Sequence, residues 1–103
     1  MKHFIVMIQY QVSMEEVSQV LPDHRAFLRG GYDAGLLLCS GPQNPRTGGV
    51  VIARAETLDA IQDFFMQDPY FLQGVATHQL IEFEPVLHQP FLADWVTQDR
   101  PAG

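Results

Sequence analysis

The segment from His3 to Gln11 constrains the fold of this chain most, because both of its alternating sets of side chains are largely apolar. Its density of Ile, Val, Phe and Tyr predicts a β-strand. Successive side chains of a strand point to opposite faces of the sheet, and an antiparallel sheet with one free face carries polar residues on that face. This strand therefore predicts a sheet that is covered on both faces.

The first helix begins at a capping signal and then meets a proline. Residues 13–16 have the Ser-x-x-Glu form of a capping box, which opens a helix. Apolar residues continue at helical spacing, but Pro22 interrupts this stripe. Because proline is tolerated in the first turn of a helix, we expect a short first helix and then a main helix that starts near Pro22 and ends before Gly35.

One further helix and three further strands complete the pattern. The helix is predicted from residue 58 to about residue 68, because Thr57 can cap it and Pro69 ends it, and a turn over residues 70–74 follows. The strands are predicted over residues 36–40, 50–55 and 77–83. The order β-α-β-β-α-β is that of the ferredoxin-like α+β fold, in which two helices cover one face of a four-stranded antiparallel sheet.

The apolar face of the sheet that the two helices leave uncovered predicts a further packing partner. We assign residues 1–85 to a single ferredoxin-like domain, whose two helices cover one face only. A large exposed apolar face is a liability, so we expect a homodimer in which two sheets face each other. The alternative is that the C-terminal tail, residues 86–103, covers this face. The aromatic residues and prolines of the tail predict that it packs on the domain or on a dimer partner.

The charge balance excludes several functions. Twelve acidic and six basic residues give a formal net charge of −6, which would repel a nucleic-acid backbone and disfavours binding to an anionic membrane surface. The apolar N-terminal run is far shorter than the ~20 residues of a membrane span. Cys39 is the single cysteine and cannot form an internal disulfide, so we expect a cytoplasmic protein. Within its strand, Cys39 is interpreted as a small buried apolar side chain.

Two ionisable residues stand where apolar residues are expected. His24 precedes Phe27 by three positions and Leu28 by four, which predicts that it lies on the inward face of the first helix. Asp68 follows Phe64 by four positions and is predicted on the buried side of the second helix, near a C-terminus that disfavours negative charge. Such a carboxylate needs a hydrogen-bond partner or a raised pKa. If the helices lie side by side, His24 is that partner, and the pair is a candidate for proton transfer.

The same residues also have purely structural interpretations. A lone histidine on an apolar stripe is more often a core residue than a catalyst, and aspartate before proline commonly caps a turn. Ser40 is a candidate donor into a pocket, although a serine at a strand end is usually only structural. Arg46 is interpreted as a solvated loop residue, with contact to an anionic substrate as the alternative. His3, His78 and His88 lack the spacing of metal ligands, so we predict no structural zinc.

An ordered set of short motifs resembles the YciI-like (YCII-related) family over about residues 3 to 90. The resemblance implies a ferredoxin-like fold that forms a dimeric α+β barrel. It also implies an active-site pair of a histidine on the first helix and the aspartate of an Asp-Pro-Tyr/Phe segment, and His24 and Asp68 match these positions. The motifs are Pro22-Asp23-His24, Gly35-Leu36-Leu37, Ser40-Gly41-Pro42, Gly48-Gly49-Val50, Gln67-Asp68-Pro69-Tyr70 and Phe83-Glu84-Pro85.

The resemblance implies a class of chemistry without a particular reaction. Relatives that share this barrel act on small ring compounds without a bound metal. We therefore predict a cofactor-independent enzyme for a small aromatic or lactone-like metabolite, in which His24 transfers a proton and Asp68 orients the imidazole ring. Ser40 and Tyr70 are predicted to line the substrate pocket. The alternative is a non-catalytic small-molecule-binding or assembly module of the same fold.

Overall fold

One antiparallel sheet of four strands forms the centre of the molecule. The computed structural model describes residues 1–97. The ends of every strand lie within two residues of the predicted ends, and the spatial order is β2-β3-β1-β4. This topology confirms the predicted α+β ferredoxin-like fold. The strands are β1 (Lys2–Tyr10), β2 (Leu37–Pro42), β3 (Gly48–Ala55) and β4 (Ala76–Phe83).

The first helix, α1 (Met14–Asp33), is continuous over 20 residues, so the predicted break near Pro22 is wrong. Ser13 caps it, because its side-chain oxygen accepts a hydrogen bond from the Glu16 N–H. Packing of one buried stripe holds the two halves together and offsets the backbone hydrogen bond that the proline removes. The buried residues recur every three or four positions on both sides of the proline, at Val17, Val20, His24, Leu28 and Gly31.

The second helical region is divided into two helices. α2 (Leu58–Phe65) is capped by Thr57 as predicted, but it ends before Asp68. A short helix, α3 (Pro69–Leu72), replaces the predicted turn. The predicted position of Asp68 at the C-terminal end of the second helix is therefore wrong. Asp68 is the N-cap of α3, where the backbone N–H of Tyr70 donates to its carboxylate at 2.9 Å.

The helices pack on one face of the sheet, and the core lies between the two layers. The strands contribute alternate side chains to this core, and α1 and α2 contribute their buried stripes. None of the helices within residues 1–97 has the length and hydropathy that crossing a bilayer requires. The fully buried apolar side chains of the core include Phe4, Val6, Val17, Val51, Ala53 and Ile61.

The opposite face of the sheet is also apolar, and much of it is uncovered. Cys39 pairs with Ile52 across the strands β2 and β3 and is exposed, so its predicted burial is wrong. The physical reason is that β2 is an edge strand with a register shift between Leu37 and Cys39, and α1, α2 and α3 pack on the other face of the sheet. The apolar residues of this face are half-buried or exposed, at Ile5, Met7, Val50, Ile52, Ile81 and Phe83.

The tail packs on one end of this opposite face. A single 3-10 turn (Pro90–Leu92) leads into a short helix, α4 (Ala93–Thr97). Arg54 donates from Nη1 to the Trp95 carbonyl at 3.0 Å, and its guanidinium lies 4.1 Å from the centroid of the Trp95 ring. His3 donates from Nε2 to the Val96 carbonyl at 3.2 Å. Residues 98–103, the last part of the predicted tail, lie outside the described residues.

Candidate active site

His24 of α1 and Asp68 at the start of α3 form a buried hydrogen bond. Nδ1 of His24 lies 2.8 Å from Oδ1 of Asp68, and their side chains are only 7% and 0% exposed. Because an ionised carboxylate can only accept, the imidazole donates through its Nδ1–H. The lone pair of the neutral ring is then on Nε2, at the opposite side of the ring.

A second histidine, His78 of β4, bonds the other oxygen of the same carboxylate. Its Nε2 lies 2.9 Å from Oδ2 of Asp68, and its side chain is 6% exposed. Burial alone would raise the pKa of Asp68, but the hydrogen bonds from His24, His78 and the Tyr70 N–H hold that pKa below its usual value. Asp68 is therefore ionised at neutral pH, and its two carboxylate oxygens accept hydrogen bonds from three donors.

Sequence reasoning missed His78, because it tested that residue only for metal-ligand spacing. The available signal is alternation along β4. His78 pairs with Ile8 of β1, and Leu80 pairs with Val6, so both residues belong to the set that faces the helices. The contact with Asp68 also depends on where α3 lies, which no local pattern reveals.

Tyr70 packs flat against the ring of His24. The ring centroids are 3.8 Å apart and the planes are within 6° of each other, so Tyr70 fixes one face of the imidazole. The hydroxyl of Tyr70 is buried and has no hydrogen-bond partner among the described residues. Burial raises the pKa of Tyr70, and the neighbouring Tyr10 raises it further, so the hydroxyl stays protonated and can donate.

A pocket of about 180 Å³ opens beside His24, between α1 and the strands β2 and β3. The wall is mainly apolar, with Leu21 and Leu28 on the helix and Val51 on the sheet. His24, Ser40 and Tyr70, which the sequence predicts as site residues, all line this pocket, while Asp68 lies behind His24. The polar side chains that line it are His24, Arg25, Ser40, Arg46 and Tyr70.

Ser40 is held in place at the pocket by a neighbouring hydroxyl. Its Oγ lies 2.7 Å from the Tyr32 hydroxyl of α1, so this hydrogen bond links the edge strand β2 to the helix. A hydroxyl is both a donor and an acceptor, so Ser40 can accept from Tyr32 and donate into the pocket. Its side chain is exposed, in contrast to the buried ring of His24.

A second cleft lies on the far side of Asp68, next to His78, with a volume of about 330 Å³. Asp68 thus separates two histidines that line different cavities. The part of the chain that the structure describes contains no group of three His, Cys, Asp or Glu side chains arranged to hold a metal ion. The residues lining the second cleft are Gln62, Phe65, Met66, Phe71, His78 and Leu80.

Comparison with known sequences gives a consistent family assignment. The model of the YCII-related domain matches residues 1–84. Protein YciI of Escherichia coli O6:H1 is 38% identical over an alignment of 76 positions, and the match covers 64% of this chain and 78% of that protein. Protein YciI of Shigella flexneri matches with the same identity and coverage. The match to the family model spans α1 and the strands β2 and β3 beside the pocket.

A solved structure shares the fold. It is 5-chloro-2-hydroxyhydroquinone dehydrochlorinase (TftG) from Burkholderia phenoliruptrix AC1100, in complex with 2,5-dihydroxybenzoquinone. The TM-score is 0.65, the sequence identity is 20%, and the match covers 79% of this chain and 90% of that one. At this identity the likeness demonstrates a common fold, and the chemistry of this chain has to be argued from its own residues.

Proposed function

This chain belongs to the YCII-related domain family, and on that basis we propose that it is a cofactor-independent enzyme that transfers a proton on a small ring compound. The observation that carries the proposal is the hydrogen bond from His24 to the buried Asp68, beside a pocket. This bond occupies Nδ1 and leaves Nε2 as the basic nitrogen. Within residues 1–97, Nε2 of His24 has no hydrogen-bond partner, and the ring lines the pocket.

The proposed chemistry begins when Nε2 of His24 takes a proton from a C–H or O–H bond of the substrate. The electron pair of that bond stays on the substrate, and the imidazolium that forms is stabilised by the ionised Asp68. In an isomerisation, His24 returns the proton to another atom of the same molecule. In an elimination, the electron pair expels a leaving group, which then takes the proton. In a hydrolysis, Nε2 takes a proton from water as the water oxygen attacks the carbonyl carbon of a lactone. The ring C–O bond then breaks, and the imidazolium gives its proton to the departing oxygen.

Tyr70 and Ser40 are proposed to bind the substrate. Burial and the neighbouring Tyr10 raise the pKa of Tyr70, so its hydroxyl stays neutral and is proposed to donate to a substrate oxygen on which negative charge develops. Such a donor is effective because it is held rigidly, here by the stacking of Tyr70 on His24. Ser40 provides a second polar contact, oriented by its hydrogen bond with Tyr32.

The size and lining of the pocket support a ring-shaped substrate. An engineered protein cavity of ~150 Å³ binds benzene, so a pocket of about 180 Å³ is large enough for one substituted ring. Leu21, Leu28 and Val51 offer the apolar wall that a ring needs. The complex of the dehydrochlorinase with a dihydroxybenzoquinone provides an analogy in the same fold. Aromatic and lactone-like metabolites are therefore the proposed substrate class.

We also propose a homodimer that buries the opposite face of the sheet. Ile81 and Phe83 on this face are 42% and 37% exposed, which is unusual for large apolar side chains on a strand. Val86, Leu87 and Phe91 at the start of the tail are 79%, 91% and 82% exposed, so this segment adds apolar surface for packing on the domain or a partner. A molar mass of a single 11.6 kDa chain by light scattering would contradict the dimer.

A cytoplasmic location is proposed from Cys39. Its thiol is exposed and free, and it is the single cysteine of the chain. An exposed free thiol is compatible with a reducing compartment and is a liability in an oxidising one. Fractionation of the source cells, followed by detection of the protein, tests the location, and recovery from an oxidising compartment would contradict it.

Hydrogen–deuterium exchange tests the proposed function before the full reaction is known. Small aromatic acids, lactones and quinones are incubated with the protein in D₂O, and the loss of substrate C–H signals is followed by NMR. We expect catalysed exchange with at least one compound, and we expect His24→Asn to slow it by about 10²-fold or more. His88→Asn is the matched control, because His88 is exposed and, within residues 1–97, its side chain bonds only the neighbouring Gln89 carbonyl.

The alternative of a binding module gives a different result in the same experiment. A binding module would show ligand-induced shifts of pocket resonances without any catalysed exchange. Exchange that persists unchanged in His24→Asn would also contradict the proposed role of the imidazole. A folded state of the variant, established by its chemical-shift dispersion, is needed before either result is interpreted.

A further inference from the structure

Two arginines line the pocket beside His24. Arg25 comes from α1, and Arg46 comes from the loop between β2 and β3, so they reach the pocket from different walls. Both residues are exposed and therefore lie at its open side. Arg46 is close enough to lower the pKa of Tyr70, in opposition to the larger effect of burial. Within residues 1–97, neither guanidinium forms a hydrogen bond or an ion pair.

This concentration of unpaired positive charge contrasts with the acidic chain, which has a formal net charge of −6. Of the other basic residues in the described part, Lys2 lies 3.8 Å from Glu82, and Arg54 is bonded to backbone carbonyl groups. Arg29 is the third unpaired arginine there, and it does not line the pocket. Two of the three unpaired arginines thus meet at one cavity.

No negative charge within the pocket balances them. The described residues that line it include no aspartate or glutamate. Asp68 lies behind His24, where it already accepts hydrogen bonds from His24, His78 and the Tyr70 N–H. A concave site with charge of one sign and apolar walls focuses its field on the entering ligand. The pocket is therefore electrostatically prepared for an anion.

The hydroxyl of Tyr70 is a second and independent sign of a polar ligand. Tyr70 is only 2% exposed and lines the pocket, and its buried hydroxyl has no hydrogen-bond partner among the described residues. A buried hydroxyl without a partner is unfavourable, so a ligand oxygen that reaches it would gain a hydrogen bond that the protein leaves unmade. The pocket thus combines a wall that includes Tyr70 with two cations at its opening.

We propose that the pocket selects a single-ring compound that carries one carboxylate group. Arg25 and Arg46 bind the carboxylate at the opening, because a guanidinium matches the two carboxylate oxygens with parallel N–H donors. The ring lies against the apolar wall and His24, and Tyr70 donates to an oxygen substituent on it. The volume of about 180 Å³ accommodates one ring. Only one part of this proposal, the orientation of the ring towards His24, rests on the proposed function.

A pair of probes that differ only in charge tests the selection. Benzoate and its neutral analogue benzamide are titrated into the full-length protein, and binding is followed by NMR shifts of pocket resonances. We expect benzoate to bind about tenfold or more tightly than benzamide. We expect Arg25→Gln and Arg46→Gln each to weaken benzoate binding by about tenfold while benzamide binding is unchanged.

Arg29→Gln is the matched control, because it removes the same charge from α1 outside the pocket. An equal loss of benzoate affinity in Arg29→Gln would overturn the proposal, since it would indicate a general effect of net charge. Equal binding of benzoate and benzamide, or no saturable binding of benzoate, would also overturn it. Tighter binding of phenyl phosphate than of benzoate would overturn the choice of a carboxylate.

The test separates this proposal from the proposed enzymatic function. Arginine-dependent binding of benzoate together with failure of deuterium exchange would support the anion site and contradict the enzyme. Catalysed exchange on a neutral ring compound, unaffected by either arginine variant, would support the enzyme and contradict the anion site. Raising the salt concentration should weaken benzoate binding more than benzamide binding, because exposed charges are screened.

Discussion

Each face of the sheet carries a small cluster in which a buried histidine lies beside a charged side chain. The two clusters differ in the group to which the histidine donates its hydrogen bond. In the helix-face cluster, His24 and His78 share the carboxylate of Asp68. In the tail cluster, His3 and Arg54 donate to the backbone carbonyls of Val96 and Trp95.

Burial of a histidine does not by itself indicate chemistry. The tail cluster uses its donors to satisfy the last carbonyls of α4, which have no partner within the helix. The helix-face cluster leaves Nε2 of His24 without a partner in residues 1–97, next to a cavity. A structural histidine and a candidate base therefore differ in two ways: in the group to which the imidazole is hydrogen-bonded, and in whether a cavity lies next to the ring.

Removal of the shared carboxylate should give the largest change in stability. Asp68→Ala leaves two buried imidazole N–H groups and the Tyr70 N–H without their acceptor, so we expect a loss of about 3 kcal/mol in the free energy of unfolding. Chemical denaturation measures this change. Asp63→Ala is the control, because Asp63 is exposed on α2. A loss as small as that of the control would mean that the helix-face cluster adds nothing to stability.

Disruption of the tail cluster should give a smaller change. Arg54→Gln removes the interaction with the Trp95 ring and a charge-assisted hydrogen bond to its carbonyl, so we expect a loss of about 1–2 kcal/mol. Trp95 is the single tryptophan, and its fluorescence should shift to longer wavelength as the tail leaves the sheet. Benzoate binding should be unchanged, since Arg54 does not line the pocket. An unshifted spectrum would contradict the proposed anchoring of the tail.

The smallest expected effect is a difference in pH dependence between the two clusters. Burial lowers the pKa of His3 below its ordinary value of 6.5, so the unfolded chain takes up a proton at a higher pH than the folded chain. The stability contributed by His3 is complete above about pH 6.5 and is lost as the pH falls towards the lower folded pKa. The pKa of Asp68 is also lowered, so its contribution is complete above about pH 4 and is lost at more acidic pH.

Denaturation curves from pH 7 to pH 3 measure these two steps. His3→Gln should remove the loss of stability that begins near pH 6.5. Asp68→Asn should remove the loss that begins near pH 4. If His3→Gln keeps the upper step, then a different group, and not His3, causes it. The two variants thus assign each pH window to one face of the sheet.

Most of the fold could be predicted because its signals are local. The alternating apolar residues of β1 indicate a strand without reference to any other segment. The recurring apolar stripe of α1 indicates a helix in the same way. Whether Pro22 breaks this helix could not be decided from the sequence, because the answer depends on how the residues on both sides of Pro22 pack in the core. The division between α2 and α3 was also missed, since Asp68 before Pro69 fits both a helix end and a helix start.

The candidate site was predicted in part. His24 and Asp68 stand out in the sequence because ionisable residues on apolar stripes are costly to bury. His78 and Arg25 do not stand out in this way: His78 alternates with polar neighbours on β4, and Arg25 is one exposed basic residue of a helix. Their place at the site follows from the register of β4 on β1 and from the position of the β2–β3 loop opposite α1.

The amino-acid sequence by itself determined the order of the four strands and the two main helices, the two apolar faces of β1 and the two residues that had to find polar partners. The tertiary structure alone decided which partners they found: one carboxylate between two histidines, a tyrosine stacked on one of them, and two arginines at the same opening. Periodicity is a property of one segment and can be recognised within it. A hydrogen bond between His24 and Asp68 joins atoms 44 positions apart, so it depends on strand register and helix packing, which only the whole fold fixes.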